Sequence, residues 1–240
     1  MSRALVVLPT YNEAGNLERL VREVLEHQVD VLVVDDNSPD GTGAIADGLA
    51  RELDAVEVLH RPRKAGLGRA YVAAFEHALE SGAELVIEMD ADFSHDPADL
   101  PRLVAAADDA DLVLGSRYVE GGGVVDWGLL RRMLSRGGSV YARAVLGVPV
   151  RDLTGGFRCF RREVLERIAP ADVDANGYAF QIEVTYRAIR AGFRVVEIPI
   201  VFRDRALGRS KMTPGIAFEA VWRVLALRLR RDAILFEATR

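Results

Sequence analysis

Two aspartates separated by one residue, Asp90 and Asp92 in Met89-Asp90-Ala91-Asp92, close a short apolar run that reads as a strand from Glu84 to Asp90. Carboxylates placed where an extended strand breaks can both approach one hard cation, and oxygen ligands of this kind suit Mg²⁺ or Mn²⁺. Such an ion keeps some of its waters and takes further ligands from a diphosphate, whose charge it stabilises in a leaving group. The same two residues could instead cap the turn into the next helix. Two further polar segments follow strands in the same way: Pro9-Thr10-Tyr11-Asn12-Glu13, and Asp35-Asp36-Asn37-Ser38-Pro39-Asp40-Gly41. Three acidic strand ends on one edge repel one another unless a cation or hydrogen-bond donors lie between them.

Rival chemistries lack their motifs. The first strand leads into Pro-Thr-Tyr-Asn-Glu, so the dinucleotide fingerprint and the P-loop are both absent. Gly66 and Gly68 in Lys64-Ala65-Gly66-Leu67-Gly68-Arg69 offer at most an anion site at a helix N-terminus. His27, His60, His77 and His95 are not spaced as a metal cluster, and each reads as structural. The single Cys159 forms no internal disulfide and rules out a four-cysteine zinc site, which fits a reducing cytosol.

The elements that position these residues alternate. Apolar β-branched runs at 4–8, 31–35, 56–60, 84–90 and 111–115 are separated by helical patterns at 15–27, 41–53, 67–81 and 97–107, the signature of βαβ units on a parallel sheet. Ligands of such sheets bind beyond the carboxyl ends of the strands, where the acidic segments fall. Glu120-Gly121-Gly122-Gly123 breaks the rhythm and reads as a mobile loop. After it come a helix at 128–146, a strand around 156–160, a helix at 178–191, a strand from Arg194 to Phe202, a flexible basic loop from Arg203 to Thr213, and a last helix at 214–231.

The chain has 240 residues, half of them hydrophobic and 28% charged, enough for one large α/β domain or two small ones with a real core. Its net charge of −5 conceals an asymmetry: residues 1–120 hold 10 Lys and Arg against 24 Asp and Glu, and residues 121–240 hold 21 against 12. An acidic half suits cation ligation and a basic half suits phosphate or an anionic surface, although both are also compatible with plain solvated faces. The apolar N-terminal stretch before Pro9 is too short for a signal h-region, and no run approaches the ~20 apolar residues of a membrane span. In the last helix Ile216, Ala217, Val221, Trp222, Leu225 and Leu229 alternate with Arg223, Arg228, Arg230 and Arg231. That pattern fits an interfacial amphipathic helix, and equally a helix packed on the sheet.

Taken together, Leu8-Pro9-Thr10-Tyr11-Asn12-Glu13, Val34-Asp35-Asp36-Asn37-Ser38-Pro39-Asp40-Gly41-Thr42, Gly66-Leu67-Gly68, Met89-Asp90-Ala91-Asp92-Phe93-Ser94-His95 and Gly115-Ser116-Arg117-Tyr118 resemble the family 2 inverting glycosyltransferases of the GT-A fold. Leu134-Ser135-Arg136-Gly137, Asp152-Leu153-Thr154-Gly155-Gly156-Phe157-Arg158, Gly177-Tyr178-Ala179-Phe180-Gln181-Ile182-Glu183 and Gly208-Arg209-Ser210-Lys211-Met212 resemble its polyprenyl (dolichyl) phosphate mannose synthase subgroup. The resemblance runs from about residue 5 to 230, in one order. It implies a single α/β GT-A domain over residues 1–240: a Rossmann-like, mostly parallel sheet, with a nucleotide-sugar and metal half at 1–118 and an acceptor half at 119–240.

The activity so implied is inverting transfer of mannose from GDP-mannose to a polyprenyl or dolichyl monophosphate, with Mg²⁺ or Mn²⁺, on the cytosolic face of a membrane. The chain is then cytoplasmic and peripherally bound, directly or through a separate membrane-anchor protein. Carried onto matching positions, Pro9, Tyr11, Glu13, Val34 and Asp36 hold the nucleotide, and Asp90, Ala91 and Asp92 hold its diphosphate, the two aspartates through the metal. Arg117, Arg131 and Ser135 bind the acceptor phosphate, with Asp92 and Arg117 as the catalytic pair. Arg205 and Lys211 belong to a lid over the donor. Some relatives place a metal-binding Gln two residues after the second Asp; this chain has Ser94 there, and the resemblance carries no ligand onto it. The spacing of Arg131 and Ser135, four apart on a helix and so on one face, agrees independently. Two other readings stand beside this one: a UDP-glucose or other nucleotide-sugar donor, and a non-catalytic nucleotide-sugar-binding subunit. Nucleic acid is disfavoured by the net negative charge and the few aromatics of the basic half.

Overall fold

A computed structural model of the chain describes residues 3–173, 175, 177–204 and 214–229. Its first half runs β1 (Ala4–Thr10), α1 (Leu17–Leu25), β2 (Asp30–Asp35), α2 (Thr42–Glu52), β3 (Val56–His60), α3 (Leu67–Glu80), β4 (Leu85–Glu88), α4 (Leu100–Ala106) and β5 (Leu112–Ser116). The second half adds β6 (Gly123–Val124), α5 (Leu129–Leu146), β7 (Arg158–Arg161), α6 (Arg162–Ile168), α7 (Tyr178–Arg190), β8 (Val195–Pro199), β9 (Val201–Phe202) and α8 (Pro214–Leu229).

Alternation along β1 shows why the sheet is central. Leu5 and Val7 enter one apolar cluster with α3, α6 and α7, whereas Ala4, Val6 and Leu8 enter a second with α1, α2 and α4. Successive side chains of a strand point to opposite faces, so a strand apolar at every position must be covered on both. Seven strands form this sheet in the order β3-β2-β1-β4-β7-β5-β8. Every pairing is parallel except those of β7, which lies antiparallel between β4 and β5. One sheet therefore carries strands from both the acidic and the basic half.

The structure departs from the sequence pattern in several places. The fourth strand ends at Glu88 rather than Asp90, which frees both aspartates of the Asp-x-Asp pair from the ladder. The expected helix at 97–107 opens as a single 3₁₀ turn, Pro97–Asp99, capped by the Asp96 carboxylate accepting from the Ala98 N–H at 3.0 Å. Arg194 to Phe202 is two strands, not one. Pro199 has no N–H to give, and after Ile200 donates to the Ser116 carbonyl the chain leaves the sheet; β9 then pairs with β6 in a separate ribbon. The glycine-rich turn before β6 is closely packed, since a Cβ on Gly122 would lie 2.5 Å from the Ser116 carbonyl oxygen. Helix α6 is additional to the elements read from the sequence, although its buried Val164, Leu165 and Ile168 recur at helical spacing.

Candidate active site

The carboxyl ends of β1, β2 and β4 lie side by side because these strands are sheet neighbours, with Pro9 in register with Val34 and Thr10 with Asp35. Repulsion between the acidic ends is met by donors. The Ser38 hydroxyl and N–H both bind the Asp35 carboxylate, at 2.5 and 3.1 Å, and the Thr10 hydroxyl lies 3.3 Å from it. Arg61 donates to Asp36 at 2.5 Å. Burial pushes the Asp36 carboxyl above its ordinary range, and the charge of Arg61 with the Ala65 N–H offsets this in part. The first two loops are stapled together: Asn12 N–H donates to the Ser38 hydroxyl, and Glu13 N–H to the Thr42 hydroxyl at 2.9 Å. Lys64 stands over the Tyr11 ring, 3.8 Å from its centroid, a cation–π contact at the edge of this pocket. Val34 is fully buried in the core and offers a ligand only its backbone.

Beyond β4, Asp92 is buried and accepts from the Ser94 hydroxyl at 2.5 Å and the Ser94 N–H at 3.1 Å through one oxygen, Oδ1. Ser94 thus orients Asp92. The Asp90 N–H donates to His95 Nδ1 at 3.2 Å. His95 is buried and stacked on Phe157, with ring centroids 4.9 Å apart; burial drives its pKa down to about 4, so the ring is neutral and can accept that N–H. Two carboxylates at a broken strand end fit a hard cation that completes its shell with water and ligand oxygens. Among the described residues no group of three or more His, Cys, Asp or Glu comes together as a metal site.

Behind this pair the interior is polar. Arg158 is fully buried and donates to the carbonyls of Gly155, Leu153 and Gln181 and to the Thr185 hydroxyl, which fastens the 153–156 turn to α7. Glu88 lies 3.8 Å from it, and burial raises the Glu88 carboxyl to about 8 against the pull of Arg158. The Gln181 amide favours the charged form of Glu88, yet neither side chain has a partner at hydrogen-bonding distance and angle.

On the other side of the pocket, Arg117 leaves the end of β5. Its Nε and Nη2 reach the two oxygens of Asp152, both at 2.7 Å, and Nη2 also reaches the Thr154 hydroxyl at 2.8 Å. Burial acts to lower the Arg117 pKa and to raise that of Asp152, but their mutual attraction prevails and holds the arginine above and the aspartate below their usual ranges. The guanidinium carbon sits 5.2 to 5.6 Å from the ring centroids of Tyr118, Phe202 and Trp127. Arg131 covers Trp127 at 4.1 Å and donates to Asp204 at 2.7 Å. Ser135, one turn along α5, accepts from the Tyr118 hydroxyl at 2.7 Å. Arg117, just past the end of β5, therefore meets Arg131 and Ser135 of α5 around Trp127 and Tyr118. Arg205 and Lys211 lie outside the described residues.

Residues 5–169, more than two thirds of the chain, match the family described as Glycosyl transferase family 2. The chain belongs to that family. Within it, the chain is 51% identical over 232 residues to the polyprenol monophosphomannose synthase of Mycolicibacterium smegmatis, covering 95% of this chain and 88% of the relative. It is 48% identical over 221 residues to the undecaprenyl-phosphate mannosyltransferase of Micrococcus luteus, covering 91% of each. A mannosyltransferase from Pyrobaculum calidifontis, solved with GDP-Man and Mn²⁺, shares the fold at a TM-score of 0.58 and 21% identity, over 99% of this chain and 73% of that one.

Several residues of this family 2 site escaped the sequence reading. Asp152, the partner of Arg117, stands in the Asp152-Leu153-Thr154 motif without a role there, because nothing local shows which charge it meets. His95 reads as structural from the sequence; it stacks on Phe157, and it also accepts the Asp90 N–H. Trp127 and Phe202 have no motif, and only the β6–β9 ribbon brings them together, 5.2 Å between centroids.

Proposed function

We propose that the chain transfers mannose from GDP-mannose to a polyprenyl monophosphate, inverting C1 and releasing GDP. The observation that carries this reading is that His95, which accepts the Asp90 N–H, meets the Phe202 ring at 5.2 Å between centroids while Arg117 lies 5.5 Å from the centroid of that same ring, so the Asp90–Asp92 strand end adjoins the Arg117, Arg131 and Ser135 cluster. The names of the two relatives near half identity support the lipid phosphate acceptor and the mannose.

In this reading the loops after β1 and β2, with Pro9, Tyr11, Glu13, Val34 and Asp36, hold the nucleotide. Asp90 and Asp92 hold Mg²⁺ or Mn²⁺, which supplies positive charge to the departing diphosphate. An acceptor phosphate is ionised near neutral pH, so its oxygen attacks C1 without a strong general base, and the protein's task is orientation and charge stabilisation. Arg117 suits that task because Asp152 fixes its guanidinium before substrate arrives, which removes the reorganisation otherwise needed at the moment of reaction. Arg131 and Ser135 fix the remaining phosphate oxygens from one helix face. Arg205 and Lys211 complete the site over the donor. Residues 1–118 thus supply most of the donor and metal groups together with Arg117, and 119–240 the other acceptor groups and the residues over the donor.

Among the described residues no helix is long and apolar enough to cross a membrane. The lipid acceptor is met peripherally, at the cytosolic face, by the apolar and basic surface of the second half or by a membrane-anchor partner.

The test incubates the purified chain with labelled GDP-mannose, UDP-glucose and other nucleotide sugars, a short polyprenyl phosphate and Mg²⁺ or Mn²⁺, and follows label into the organic phase. Transfer from GDP-mannose is expected. Transfer solely from another donor overturns the sugar assignment, and nucleotide binding without any transfer points to a binding-only role or a missing partner.

A further inference from the structure

Helix α5 carries Arg131, Arg132, Arg136 and Arg143 and no acidic residue. Its outward face also shows Leu129 at 73% exposure, Met133 at 64% and Val140 at 58%. Alongside it α8 is held by the Tyr141 hydroxyl donating to the Val221 carbonyl at 3.1 Å, and adds Trp222 at 66% and Leu229 at 83%. Basic and large apolar side chains interleaved on one exposed face are the composition of an interfacial surface rather than of a helix buried against its own sheet.

Next to this face is a cavity of about 190 Å³ lined by Tyr118, Arg136, Val140, Arg143 and Arg151. Among the described residues none of these three arginines forms an ion pair, whereas Arg61, Arg117, Arg131, Arg158 and Arg187 each do. Three guanidinium groups around one concavity repel one another, an arrangement that an anion relieves, and planar guanidinium forks match phosphate oxygens. Position narrows the choice of anion. Tyr118 lines the cavity and its hydroxyl reaches Ser135, so the cavity borders the acceptor site, while Val140 joins it to the exposed apolar face of α5.

We propose that this cavity receives the phosphate of an anionic phospholipid, seating α5 and α8 on the bilayer beside the acceptor site; the inference rests on the lipid-acceptor reading above. It explains how a chain whose described helices do not span a membrane meets a lipid-borne phosphate in a fixed orientation.

The test measures sedimentation of the full chain with vesicles of phosphatidylcholine alone and with added phosphatidylglycerol, for the wild type and the double variant Arg143→Gln, Arg151→Gln. Both side chains are exposed, and circular dichroism checks that the variant folds. The wild type should prefer the phosphatidylglycerol vesicles, and the variant should bind them roughly thirty-fold more weakly, the effect of two charges lost at an anionic surface. Transfer to a short acceptor in detergent should be unchanged. Equal wild-type binding to both vesicles, or a variant that binds like the wild type, overturns the proposal. So does a raised KM for the short acceptor in detergent, which would assign the cavity to the acceptor itself, and so does displacement from vesicles by inorganic phosphate at constant ionic strength, which would make it a free-anion site. If the wild type prefers phosphatidylglycerol vesicles in the arginine-dependent way but transfers no sugar, the headgroup site stands and the enzymatic reading fails.

Discussion

Arg117 and Asp152 form a two-point ion pair in the interior, with side chains 4% and 0% exposed, between residues from two different motifs. The Arg117 N–H adds a third bond to the same carboxylate at 3.0 Å. This pair joins the end of β5 to the turn before β7.

Removal of Asp152 leaves that charge buried and unpaired, and Asp152→Ala should destabilise the chain by about 3–5 kcal/mol, read by urea denaturation. The pH dependence has a definite sign. Since the folded Asp152 carboxyl lies below its ordinary value, its contribution is complete above the unfolded value, about 3.9, and is lost as pH falls through the lower folded one. Wild-type stability should therefore drop on acidification in a window that Asp152→Asn no longer shows.

Ser94 holds Asp92 by two hydrogen bonds to one oxygen. If its role is to orient, Ser94→Ala should lower kcat about 10–100-fold, as loss of a group that supports a metal ligand does, and Asp92→Ala should abolish turnover while the fold survives. Equal losses in the two variants, by steady-state transfer assay, would make Ser94 itself a ligand.

Gly68 on α3 sits where a Cβ would come 2.6 Å from the Ala175 carbonyl oxygen and 3.1 Å from the Phe180 ring. Gly68→Ala should cost about 1–3 kcal/mol through overpacking. Gly138, inside α5 with nothing within 4 Å of its Cβ position, should behave oppositely: Gly138→Ala should add about 0.5–1 kcal/mol. Thermal denaturation of both variants tests the contrast.

Cys159 lies inside the sheet on β7, fully buried, and burial pushes its thiol up to about 12. A thiolate is the reactive form, so a disulfide reagent at neutral pH should label the chain only after denaturant unfolds it. Labelling of the native chain at a rate like that of free cysteine would contradict this burial.

The order of strands and helices in the first half was legible because each signal is local: a period of two or of 3.6, a capping residue, a proline at a helix start. The acidic residues at the ends of β1, β2 and β4 could be read for the same reason, since in a parallel sheet a strand end is also an address. The insertion of β7 antiparallel between β4 and β5 could not be read, nor the partner of Arg117, nor the meeting of Trp127 with Phe202 across the β6–β9 ribbon. Each depends on which distant segments pair, and pairing is selected by the burial of both sheet faces together rather than by any stretch of residues. The same limit applies to Val34, where a motif marks the position but the packing of β2 between β1 and β3 leaves only its backbone to a ligand.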